Sequence, residues 1–211
     1  MGLLVLFLFS FRTVPREVSS SFMLTQGRNL GRMVEAMNLH GKGVLLPPTG
    51  RLKEDRVYLP LEKHDLPLPD LSDGTVFNVG STGPSMGISI IPPGKGFVDK
   101  VEELNGTLFH DDLARDGTEA LEKLSKGTGM FKKIEMHDRK ESIELKIIHD
   151  AASEVCEVIW KEYPMLHSQV GCPACSAVLC AVTRIVSAPM RIEEVKRIEG
   201  GVEYILRRKH K

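Results

Sequence analysis

The sequence has no excess of charge of either sign: Lys plus Arg and Asp plus Glu each number 28, so the formal net charge at pH 7 is zero. Without a net field it does not draw polyanions from a distance, which argues against nucleic acid as a partner. Cysteine is scarce too. The four cysteines stand at 156, 172, 175 and 180, all in the C-terminal third. They are not spread out as in the framework that staples small secreted domains, and the clustering suits a reducing compartment. Several signatures of large enzyme classes are missing: G-x-S-x-G, H-E-x-x-H, the phosphate-binding G-x-x-x-x-G-K-[ST], and G-x-G-x-x-G between a strand and a helix. No complete catalytic constellation is left, so the expectation is a binding or interaction domain rather than an enzyme.

No long apolar run is present in the first residues either. Leu3-Leu4-Val5-Leu6-Phe7-Leu8-Phe9 is far short of the roughly 20 residues that cross a bilayer. A signal peptide and a buried strand are two readings of Met1 to Phe11; the C-terminal half of a membrane helix is the third. Arg12, Arg16, Arg28 and Arg32 follow, opposed only by Glu17 before Glu35. On the third reading, the positive-inside rule sets the remainder of the chain in the cytoplasm, attached to the membrane through its N-terminus.

The rest reads as α+β: an antiparallel sheet with helices mainly on one face, preceded by an N-terminal helix. Residues 1–40 are the apolar segment and a linker helix, and 41–211 a single α+β domain of a length that buries a sizeable core. The linker helix runs from Pro15 toward Leu39, weakened at Gly27 and Gly31 and stopped at Gly41. Short strand-like runs follow at 43–46 and 56–60, both closed by prolines and hence expected at an edge, then at 76–79 and 87–91. Helices are predicted at 97–104, 111–125, 151–163 and 174–187. Phe131 to Met136 and Ser142 to Ile147 alternate apolar and polar residues around a charged turn at 137–141, which is a hairpin. Met190 to Ile198 and Val202 to Leu206, joined by Glu199-Gly200-Gly201, form a second.

One stretch carries chemistry. Gly171-Cys172-Pro173-Ala174-Cys175 puts a C-x-x-C at a predicted helix start, where free N–H groups and the helix dipole favour a thiolate. The pair resembles the active bracket of glutaredoxins, but that fold sets the motif directly after an early strand. Here a helix and an irregular stretch at 164–170 precede it. Zinc is the other chemistry. Cys180 is displaced from Cys172 by about 12 Å along a helix, whereas thiolates on one zinc lie within roughly 4 Å of each other. Cys180 therefore drops out. Cys156 and His167 complete a metal set with Cys172 and Cys175, provided that the folded chain brings them back to the motif. The third alternative is inert, buried thiols, with Cys172 alone reachable by solvent.

Other polar motifs have plain structural explanations. Gly80 to Gly87 and Pro92-Pro93-Gly94-Lys95-Gly96 invite a phosphate cradle but read better as a hinge loop and a turn leading into a helix. His110, Asp111 and Asp112, and the pair His149-Asp150, fit helix-start capping.

Gly43-Val44-Leu45-Leu46-Pro47-Pro48, Arg56 to Leu61, Leu68-Pro69-Asp70, Gly87 to Gly94 and the closing Gly200-Gly201-Val202 turn together resemble an uncharacterised family of archaeal proteins. Its members carry membrane helices ahead of a domain of this layout. The resemblance implies no activity and supports the clipped-helix reading of Met1 to Phe11. The last third, Cys175 to Ser187 with Arg191 to Arg208, is distantly similar to the small-ligand-binding domain of 4-vinyl reductases, though the cysteine pair that usually ends that domain is missing. The expected function is a non-catalytic cytoplasmic domain binding a small molecule or a protein at the membrane, without a cofactor; the alternative is a thiol or zinc protein built on Cys172 and Cys175.

Overall fold

The computed structural model describes residues 15–62, 68–79, 86–106, 109 and 117–209. Along the chain these form α1 (Arg16–Ala36), β1 (Val44–Leu46), β2 (Arg56–Pro60), β3 (Phe77–Val79), β4 (Met86–Ile90), α2 (Lys95–Asn105), α3 (Thr118–Thr128), β5 (Phe131–Arg139), β6 (Ser142–His149), α4 (Ser153–Glu162), α5 (Pro164–Gln169), α6 (Pro173–Val186), β7 (Met190–Ile198) and β8 (Gly201–Arg208). The expected α+β architecture is present. The Met1 to Phe11 run, the loop at 80–85 and His110 to Asp112 lie outside the described residues.

The strands make one eight-stranded sheet in the order β3-β4-β2-β1-β7-β8-β6-β5, every pairing antiparallel. Both predicted hairpins are there. Ile134 faces Ile147 and Met136 faces Leu145, the register that the two-residue alternation requires. The turn between β5 and β6 is tighter than expected, since Arg139 still pairs with Ser142. Two expectations fail. β1 and β2 are interior strands, because β1 pairs with both β2 and β7, and β2 with both β1 and β4. Proline permits this by its place: Pro60 is the last residue of β2, and Pro47 and Pro48 follow β1, so no central ladder donor is lost. The stretch at 164–170 is not irregular. Pro164 occupies the first turn of α5, where its missing N–H costs nothing.

Alternation decides which side chains meet the helices. Leu45, Val57, Leu59, Ile88, Ile143, Leu145, Ile147, Ile192, Val202, Tyr204 and Leu206 belong to the main core, while Val44, Leu46 and Tyr58 point to the other face and close a small second cluster with Leu52 and Leu71. α6 is the centre of the helical layer: all residues from Pro173 to Ile185 are buried. Arg184, near its end, is held by three carboxylates, from Asp55, Asp99 and Glu102. Gly94, in the suspected phosphate turn, donates its N–H to Ser176 Oγ at 3.3 Å, so this turn joins α2 to α6.

Gly27 and Gly31 serve α1 as contact points. A Cβ on Gly27 would stand 2.7 Å from Ile159 Cδ1, and one on Gly31 would overlap the Tyr163 ring. Their bare backbone lets α1 lie close against α4, where Arg28 clasps Glu162 with two hydrogen bonds of 2.7 and 2.8 Å. The helix ends at Ala36 rather than at Gly41; two residues on, Asn38 takes the left-handed conformation at φ 53°, which asparagine tolerates better than most residues.

Candidate metal centre

Three short helices turn about one corner of the sheet, and each brings a ligand-type side chain to the same point. α4 presents Cys156 from its buried face, beside Val155 and Ile159. After the break at Tyr163, α5 presents His167. The chain then reverses at Gly171, whose φ of 83° is a left-handed conformation that only glycine adopts without strain. Cys172 follows as the N-cap of α6, with Pro173 in the first turn. Its sulfur accepts the Cys175 backbone N–H at 3.4 Å, the role that a hydroxyl or carboxylate plays in an ordinary cap. Cys175 follows one turn on.

The ligand atoms of Cys156, His167, Cys172 and Cys175 all lie within 4.8 Å of one another, and all four residues are buried. Cys156 Sγ is 3.4 Å from His167 Nε2. The set is the one that sequence spacing nominated, and Cys180 is not in it. Cys180 sits further along α6, where the charges of Asp55 and Arg184 act on it in addition to burial. One expectation is corrected: Cys172 is not open to solvent but has 0% exposure, because the α5–α6 reversal and the core close over it.

The sulfurs compete for protons. Burial by itself raises the Cys172 thiol, but hydrogen bonds from Cys156, Cys175 and His167 and the charge of that imidazole bring it well below the usual thiol range. Contact with Cys172, followed by burial, pushes Cys156 up. Burial, followed by the two neighbouring sulfurs, pushes Cys175 up. Of the three thiols, Cys172 is thus the one whose proton is held least tightly. A divalent cation held by these residues would remove the competition, since a coordinated thiol is deprotonated outright.

Around these four stand residues for which spacing gave no warning. His149 Nε2 lies 3.4 Å from Cys175 Sγ, and burial holds this imidazole below its ordinary pKa. Its capping explanation is thereby superseded: the ring points inward. The available signal was alternation, because His149 continues the inward series Ile143, Leu145, Ile147. Trp160 packs its ring on His167 at a centroid distance of 4.3 Å, while His167 Nδ1 is buried without a hydrogen-bond partner. The Tyr204 hydroxyl is likewise buried and unpartnered; burial first, then the charges of Cys175, Cys172 and Cys156, push its pKa well up.

A cavity of about 270 Å³ lies beside the centre, lined by His149, Ser153, Cys156, Glu157, Trp160 and Arg197 among others. Cys156 is the only one of the four that borders it.

Among the described residues, the one stretch long and apolar enough to cross a membrane is Pro164–Val186, and 94% of it is buried inside the protein. It carries three of the four clustered residues and the central core helix, and its apolar character is explained by that burial.

A family model described as a domain of unknown function, DUF7982, matches residues 1–157. Of the four clustered residues, the matched stretch contains Cys156 alone. No curated protein matches the chain, and no solved structure does.

Proposed function

The chain belongs to the DUF7982 family, and from that premise we propose that it is a zinc-stabilised α+β domain whose Cys156, His167, Cys172 and Cys175 hold one zinc ion. The observation that carries this is the convergence of three sulfurs and one imidazole, from three helices, within 4.8 Å in a buried corner. Thiolates at about 2.3 Å from a tetrahedral zinc stand roughly 3.8 Å apart, so the cluster needs only a small contraction to close on the ion. Three soft sulfurs and an imidazole favour zinc over magnesium, calcium or manganese. Four protein ligands fill a tetrahedron and leave no position for a substrate, which is the pattern of structural sites.

The role supplied by the ion is mechanical. α4, α5 and α6 are joined by a break and a reversal, and a bond from each to one ion fixes their angles where few backbone hydrogen bonds do. The decisive measurement is elemental analysis of full-length protein purified without a His tag. One zinc per chain is expected, with a melting temperature that falls on chelation; metal at trace level together with a chelator-insensitive melting temperature overturns the reading.

Membrane attachment through Met1 to Phe11, facing the cytoplasm, belongs to the same proposal, carried by the apolar run and the arginines after it. Full-length protein then fractionates with lipid or needs detergent, and a chain starting near Ser21 does not. The archaeal and small-ligand resemblances support a sensing or scaffolding role at that surface. A cavity of about 500 Å³ between Leu46, Leu52, Leu68, Leu71 and Pro189 is a place of suitable size for a small apolar molecule.

A further inference from the structure

The four clustered residues are not equally protected. His167, Cys172 and Cys175 have no exposed surface, while Cys156 retains 5% and forms part of the wall of the 270 Å³ cavity beside α4. The cavity reaches solvent between α4 and the β7–β8 turn, where Glu157 and Glu199 are exposed. A small polar molecule arriving there meets one sulfur of the centre and none of the others.

We propose that Cys156 is a modification site for small hydroperoxides, admitted through this cavity, and that its oxidation discharges the metal. The inference rests on the zinc reading for the discharge and on the cavity for the choice of residue. A zinc-bound thiolate is a nucleophile. Its sulfur attacks the distal oxygen of the hydroperoxide; an S–O bond forms, the O–O bond breaks, and the departing alkoxide or hydroxide takes a proton from water. Arg197, paired with Glu157 at 3.5 Å, is the cation of the cavity wall and the group that would steady that developing negative charge. Cys156 is then a sulfenic acid. The Cys172 or Cys175 thiolate, whose sulfur starts within 4.8 Å, attacks the oxidised sulfur, forms a disulfide and expels hydroxide, which is protonated to water. Sulfur is oxidised by two electrons and the peroxide reduced by two. An ion held by the four residues would then keep only one thiolate and one imidazole, too few to retain it.

The cavity, unlike general thiol chemistry, dictates which sulfur reacts first and which peroxides reach it. The test uses full-length protein as purified, titrated with hydrogen peroxide, with released zinc followed by a chromogenic chelator and cysteines mapped by mass spectrometry with dimedone trapping. The expected result is one zinc released per peroxide consumed, the first dimedone adduct on Cys156, and a disulfide joining Cys156 to Cys172 or Cys175. Ser153→Phe, which adds bulk to the cavity wall at a residue outside the cluster, should keep its zinc and release it several-fold more slowly. A bulky hydroperoxide should be slower than hydrogen peroxide on the unsubstituted protein. First labelling of Cys172 or Cys175, or equal release rates with and without Ser153→Phe, overturns the proposal. Protein isolated without zinc sinks the metal reading; the choice of residue by the cavity is then read from the comparison with Ser153→Phe, in which dimedone labelling of Cys156 but not of Cys172 should slow, and equal slowing or none overturns it.

Discussion

Cys156 and His167 place Sγ and Nε2 3.4 Å apart although they belong to different helices, with the Tyr163 break between them. That contact adds two ligand-type side chains to the C-x-x-C pair, making a cluster of four. The chemistry of the corner therefore depends on the angle between α4 and α5, and the substitutions that test it follow from this geometry.

Losing a ligand and losing a neighbouring thiol should have different costs. On the proposed zinc reading Cys175→Ser removes a ligand, and for an ion bound only by folded protein the loss should exceed about 4 kcal/mol and abolish the response to chelator. Cys180→Ser keeps the centre. Sequence alone assigns this change about 1–3 kcal/mol for a hydroxyl in apolar surroundings, but the charges of Asp55 and Arg184 act on Cys180. A hydroxyl there finds an acceptor, and the cost should be no more than about 1 kcal/mol. Urea unfolding of the two variants, with zinc assayed on each, makes the comparison.

His149→Leu should leave the fold intact and weaken the metal by about 10–100-fold, the usual effect of deleting a partner that hydrogen-bonds a ligand. The basis is the 3.4 Å approach of His149 Nε2 to Cys175 Sγ. Competition with a calibrated zinc chelator reads the affinity; an unchanged value would show that the imidazole merely packs.

The Arg184 clasp predicts a large stability loss far from the metal. Asp55 is 1% exposed and is bound by the guanidinium at 3.0 and 3.1 Å from Nε and by a third bond from Nη2. Arg184→Met would strand a buried carboxylate, which costs about 3–5 kcal/mol. Changing Arg184 and Asp55 together to apolar residues should recover part of it. Zinc content should not change in either variant.

Acid should weaken the same clasp. Burial raises the Asp99 carboxyl, but hydrogen bonds from Lys95 and Arg184 outweigh it and hold the group below its ordinary value of 3.8. A depressed carboxylate contributes stability that is fully present above its unfolded pKa and is lost as pH falls through the folded one. Stability measured by urea should therefore decline on acidification below about pH 4, and Asp99→Asn should flatten that decline. An identical acid slope in the variant would remove Asp99 from the account.

Two glycine substitutions should act with opposite signs. Gly31→Ala forces a methyl into the Tyr163 ring and should destabilise by about 1–3 kcal/mol. Gly96→Ala, inside α2 with nothing within 4 Å of the added Cβ, should stabilise by about 0.4–1 kcal/mol, mainly by reducing the freedom of the unfolded chain. Melting temperatures of both proteins suffice.

Local pattern by itself determined the α+β class, the two long hairpins and their register, and the helices from α4 onward other than α5, because side-chain period is a property of neighbouring residues and survives without a partner. It also determined which four residues were worth considering for a metal, since ligand chemistry belongs to residue type, and the rise of a helix is enough to set Cys180 aside. The tertiary structure decided the rest. That β1 and β2 lie inside an eight-stranded sheet rests on the pairing of β1 with β7, a contact between residues about 145 positions apart that no local period encodes. That Cys156 and His167 swing back to Cys172 and Cys175 rests on the break at Tyr163, the reversal at Gly171 and the core that closes over them. A ligand set from three helices exists only at the angles between those helices, and those angles are set by packing.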